Sequence, residues 1–118
     1  MRKENKISIW VGTFNSKYDF DNYIKESYDE DGDCVPSIFM KDFNIEHIDH
    51  DFKESEFIGK KLTKDNLIGF SYDEKFIEKI DEVLLIGNSI ILLYDSEYSG
   101  EIKSTNKVTF IGTYDYKK

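Results

Sequence analysis

The stretch KISIWVGTF, residues 6–14, alternates Ile7, Ile9 and Val11 against Ser8, Trp10 and Gly12. A period of two sends alternate side chains to opposite faces of an extended chain, so the pattern predicts a strand. Beyond Phe14 the period changes. Ser16 stands where an N-cap belongs, and Phe20, Tyr23 and Ile24 fall on one helical face, which predicts a helix over 17–27. Pro36 suits the first turn of a second helix, because its missing N–H has no intrahelical partner there anyway. Phe39, Met40 and Phe43 form the apolar face of that helix, which should end near Asn44. Trp10, Phe39 and Phe43 are read as core rather than contact residues.

Residues 45–64 carry no clear period, beyond a short helix or strand near 52–58. Ser71 and Glu74 have the spacing of a capping box, and Phe76, Ile77, Ile80, Val83 and Leu84 recur at helical intervals. This is the most regular helical pattern in the chain, and Gly87-Asn88 should stop it. SIILLY, residues 89–94, is a short apolar run suited to a buried strand; residues 95–104 form a turn, and 105–116 read as a final strand. Order and spacing predict an α+β fold: a single domain over residues 1–118, with a small, mostly antiparallel sheet and about three helices. Val11-Gly12-Thr13-Phe14 and Ile111-Gly112-Thr113-Tyr114 echo each other. They read as two core strands that each place a glycine where another group packs closely.

Composition narrows the function. With 118 residues, 39% hydrophobic and 15% aromatic, the chain holds ample core material, which argues against disorder. One cysteine, Cys34, cannot form an internal disulfide. The opening MRKENKISIW lacks the apolar stretch of a signal peptide, and no run reaches the roughly 18 apolar residues of a membrane span. These features predict a soluble, cytoplasmic protein. The net charge is −8, and residues 26–56 hold eleven acids against two bases, or −9, which leaves +1 for the remainder. A field so concentrated repels nucleic acid and membranes and attracts basic partners.

The acids cluster first in YDEDGDC, residues 28–34. A calcium loop with Gly32 at its sixth position would place Asp29 and Asp31 correctly, but its twelfth position is Ile38, which has no side-chain oxygen. His47 and His50 with Asp49 and Asp51 have helical metal-ligand spacing, yet no cysteine or further histidine completes a transition-metal set. Cys34 follows four acids, which oppose the thiolate a nucleophile needs. Gly59-Lys60 fails as a phosphate loop: Glu54 stands at the first glycine and Lys61 at the Ser/Thr position. No GxSxG, HExxH or paired CxxC occurs. The chain predicts neither an enzyme nor a cofactor.

The Trp-x-Gly strand (Trp10, Gly12), the acidic loop (Asp29 to Asp33) and the helix carrying Pro36, Ser37, Phe39, Asp42 and Phe43 together resemble the bacterial immunity protein 22 family. The likeness runs on, more loosely, through GFSYDEKFIEKI (residues 69–80) to the last strands. Cys34 is a departure, because a less reactive residue is expected before the proline. The resemblance implies a small acidic α+β protein that binds and blocks a cognate polymorphic toxin. Clustered carboxylates can imitate phosphate in the basic groove of a nuclease. The expected partner-binding set is therefore Asp29, Glu30, Asp31 and Asp33, joined by Asp49 and Asp51, with Tyr28 as aromatic anchor. Asp42 is left out as structural. Two other classes stay open: an adaptor or regulatory module for a basic protein, and, more remotely, a metal-dependent enzyme.

Overall fold

The computed structural model describes residues 1–117. The alternating stretch lies in β1 (Arg2–Gly12), which begins earlier than its apolar pattern suggests. β1 pairs antiparallel with β5 (Ser89–Ser96), running from Ile7 opposite Tyr94 to Gly12 opposite Ser89. Its other edge pairs antiparallel with β6 (Val108–Asp115), and β4 (Lys53–Phe57) pairs with the far side of β5. The sheet order is β4-β5-β1-β6. Ile7, Ile9 and Val11 point into one apolar cluster and Trp10 into another, so both faces of the sheet are covered. That explains why β5 is buried from Ser89 to Asp95 and reads as a continuous apolar run instead of an alternation.

α1 (Lys17–Ile24) and α2 (Ile38–Phe43) cover the Trp10 face. The Ser16 hydroxyl accepts from Asp19 N–H at 3.1 Å, as an N-cap should, but α1 ends at Ile24, three residues short of the expected end. Pro36 does not enter the first turn of α2 as expected: Ser37 caps the helix, accepting from Met40 N–H at 3.1 Å, so the proline precedes it. Asn44 ends it in the left-handed region at φ 55°. Phe39, Phe43, Tyr98 and Phe110 ring the fully buried Trp10 with centroids 5.0–5.9 Å away, the spacing of edge-on and tilted aromatic packing. Tyr23 of α1 donates to Asp42 Oδ2 of α2 at 2.8 Å. Asp42 thus braces two helices.

The opposite face corrects the helical reading of residues 73–86. α3 (Asp73–Phe76) lasts one turn, and 3-10 turns succeed it at Ile77–Lys79 and Glu82–Leu84. Phe76, Ile80 and Leu85 are buried, whereas Val83, Leu84 and Ile86 are exposed. The final step, from 80 to 85, does not keep one helical face. The Asp81 carboxylate accepts from Val83 N–H at 3.1 Å, which satisfies the backbone locally and favours a fresh turn over continuation. The expected Ser71–Glu74 capping box is also absent: Ser71 N–H donates to Glu54 Oε1 at 2.9 Å.

Gly87 and Asn88 do more than stop a helix. Gly87 has φ 142°, and a Cβ there would lie 2.3 Å from the Gly12 carbonyl oxygen. Asn88 N–H donates to that same oxygen at 2.8 Å. The two echoed glycine stretches lie on neighbouring strands. A Cβ on Gly12 would meet Phe14 and Val108 at 2.9 Å, while Gly112 (φ 150°) sits at a bulge where Ile9 opposes Gly112 and Trp10 opposes Phe110.

Candidate functional site, an acidic hairpin

The acidic loop is a hairpin. β2 (Ser27–Tyr28) pairs with β3 (Cys34–Val35), and residues 29–33 connect them. Asp29 organises the connection: its Oδ1 accepts from the N–H groups of Asp31 and Asp33, both at 2.9 Å. Its own N–H donates to Asp33 O at 2.9 Å, and its carbonyl accepts from Gly32 N–H at 3.0 Å, with Gly32 at φ 83°. Aspartate is favoured in turns for this reason, since its short carboxylate can hold backbone donors two and four residues on.

With the turn closed by Asp29, the carboxylates of Glu30, Asp31 and Asp33 are exposed and make no ion pair among the described residues. Tyr28 is 75% exposed. The second acidic group repeats the device. Asp49 Oδ1 accepts from Asp51 N–H at 3.0 Å and caps the 3-10 turn His50–Phe52, and the Asp51 carboxylate makes no ion pair among the described residues. Of the seven expected contact residues, two therefore use a carboxylate oxygen to shape their own turns.

A residue not selected from the sequence joins the two groups. Glu26, at the root of the hairpin, has a side chain only 12% exposed, and its Oε2 lies 2.8 Å from His50 Nε2. Its Oε1 accepts from the Cys34 thiol at 3.4 Å. Glu26 thereby ties the hairpin to the turn bearing Asp49 and Asp51. No local spacing announces this, because 24 residues separate Glu26 from His50.

The same carboxylate governs the local electrostatics. Partial desolvation, the hydrogen bond to Glu26 and that residue's charge all push the Cys34 thiol above its ordinary value. The thiolate is disfavoured, as expected, although desolvation first and Glu26 second do this rather than the four acids of the loop. Burial lowers the Lys53 ammonium and the Glu26 charge partly offsets it. His47 is exposed beside a cleft of about 590 Å³ that Arg2, Ile45, Asp49, Phe52 and Asp95 also line. Arg2 stacks over the Phe52 ring at 5.1 Å there and lies 4.0 Å from Asp95. Among the described residues, no three His, Cys, Asp or Glu side chains gather as a metal-binding set, and no helix is long and apolar enough to cross a membrane.

What remains is a pinned hairpin that holds free carboxylates and one tyrosine in fixed places. Residues 7–117 match the family model described as immunity protein 22. No curated protein matches the chain, and no solved structure does.

Proposed function

Because the chain belongs to the immunity protein 22 family, whose general role is to neutralise a toxin, we propose that it does so by presenting the acidic hairpin to a basic surface of its cognate toxin. The observation that carries this reading is the placement of charge. Residues 26–56 hold −9, against +1 elsewhere, and the turn of the hairpin within them is closed by the Asp29 carboxylate. Preformed carboxylates lose little conformational freedom on binding and steer a basic partner during encounter. Glu30, Asp31, Asp33 and Asp51 supply the charge, Tyr28 the aromatic contact, and Asp29 and Asp49 hold the geometry. The toxin class that fits is one with a basic groove for nucleic acid, a nuclease foremost. Inhibition by binding alone needs no cofactor.

The test is to purify the toxin domain encoded beside this chain's gene and titrate it with the protein at several salt concentrations. A tight complex whose association slows steeply with salt supports the reading. A tight complex indifferent to salt keeps toxin binding but moves recognition off the acidic face. Failure to bind, together with recovery of a constant housekeeping protein from lysate, would point to the adaptor role instead.

A further inference from the structure

The outer edge of β4 offers a second recognition surface, of a different chemistry. Ile58 N–H donates to Asn88 O at 2.8 Å, so residues 54, 56 and 58 turn their backbone groups toward β5. Lys53, Ser55 and Phe57 then turn theirs outward. Lys53 N–H is taken by His50 O, which closes one end of the edge. The N–H and C=O groups of Ser55 and Phe57 have no hydrogen-bond partner among the described residues. β6, the other outer strand, is guarded: Phe110 N–H donates to Lys103 O at 2.7 Å, and Lys79 Nζ donates to Asp115 O at 2.7 Å. Beyond Lys53, β4 has no such cover among the described residues. A cleft of about 550 Å³ runs along it, with Ile68, Gly69 and Phe70 as the far wall, and Ile68 is 68% exposed.

An outward row of backbone donors and acceptors is complementary to one thing, another extended strand. The side chains say whose. Glu54 is fixed by Ser71 N–H and the Tyr94 hydroxyl, whereas Glu56 is exposed and unpaired among the described residues. If two copies of this chain joined edge to edge, the antiparallel registers centred on residue 54, 55 or 56 would set glutamate opposite glutamate, which is destabilising. A basic strand meets no such penalty. We propose that β4 receives an extended segment of the toxin, added antiparallel or parallel to the sheet, with a lysine or arginine opposite Glu56 and an apolar side chain against Ile68. The inference rests on the proposed function, in which the partner is a toxin, and it adds the mode of docking.

Residue-resolved amide exchange on the wild-type protein, alone and with the toxin domain encoded beside its gene, tests this directly. In the free protein the amides of Ser55 and Phe57 exchange fast while those of Glu54 and Glu56 are protected. In the complex Ser55 and Phe57 slow by at least about a hundredfold. A complex that leaves both amides fast overturns strand docking and leaves toxin neutralisation standing. No complex at micromolar concentrations overturns both. As an independent variant, Ser55→Pro deletes one outward donor and spares the bonds to β5. It should weaken binding at least tenfold with circular dichroism unchanged; a folded variant that binds within twofold of wild type refutes the proposal.

Discussion

The side chain of Asn88 binds both backbone polar groups of Phe14: Oδ1 accepts from its N–H at 3.0 Å, and Nδ2 donates to its carbonyl at 2.8 Å. Phe14 lies just past the end of β1, so one side chain stands in for a strand neighbour at a level where β5 has not yet begun. Replacing Asn88 by Ala orphans a donor and an acceptor beside a buried ring. We expect a loss of about 2–3 kcal/mol in urea unfolding. Asn88→Asp keeps the acceptor and loses the donor, so it should fall between wild type and Asn88→Ala. Equal stability of all three would mean that water serves Phe14 as well.

Two glycines at positive φ should respond very differently to alanine. Gly87 combines φ 142° with a Cβ position 2.3 Å from a backbone oxygen, while Gly32 has φ 83° and open space around it. Gly32→Ala is expected to cost about 1 kcal/mol, the conformational strain alone. Gly87→Ala adds a clash that must push β1 and residues 87–88 apart, and we expect about 3 kcal/mol or more. Melting temperatures of the two variants, measured side by side, check the order.

Alkaline titration should be coupled to unfolding. Burial, then a hydrogen bond to a carboxylate and its charge, pushes the hydroxyls of Tyr23, Tyr94 and Tyr116 well above the ordinary 10.0. The carboxylates are Asp42, Glu54 and Asp95 respectively. A raised folded value means the folded state keeps protons that the unfolded chain releases. The stabilisation is therefore complete below about pH 10 and is lost as pH rises further. Tyrosinate absorbance from these three should appear together with the loss of far-ultraviolet dichroism. Tyr94→Phe should make the decline of stability above about pH 10 shallower, and an unchanged slope would contradict the assignment.

Charge reversal on the hairpin separates binding from folding. The triple change Glu30→Lys, Asp31→Lys, Asp33→Lys should slow association with the toxin about tenfold at low ionic strength. The difference should shrink as salt shortens the range of the field. Because those carboxylates hold nothing in place, the melting temperature should stay within about 2 °C. Asp29→Ala should instead loosen the turn and speed exchange of the Asp31 and Asp33 amides. Identical low-salt association rates for the triple variant and wild type would remove the hairpin from the interface.

The readable parts of the sequence were those in which one local rule acted alone. Ile7, Ile9 and Val11 alternate because nothing else in β1 competes with the pleat. Ser16 caps its helix at the ordinary distance from an amide. Residues 73–86 misled because Phe76 and Ile80 keep helical spacing while Asp81 offers the backbone a local bond. Helical periodicity measures where apolar side chains fall and says nothing about that competition. Within the candidate site, the acids were visible, but their division into turn-formers and free charges depended on backbone geometry. The Glu26–His50 contact is long-range and leaves no pattern in the chain. The open edge of β4 was equally hidden, because strand order, not composition, decides which strand lacks a neighbour.

The central strand also sets a timetable. β1 lies between β5 and β6, so it has no partner until synthesis has run on to Ser89 and then Val108. At roughly 5–20 residues per second, Gly12 waits about 4–15 s for Ser89. The hairpin, α1 and α2 can form during that interval, but Ile7, Ile9, Val11 and Trp10 remain exposed to solvent. A nascent chain of this protein therefore shows its charged face early and is most prone to aggregate just before β5 and β6 emerge.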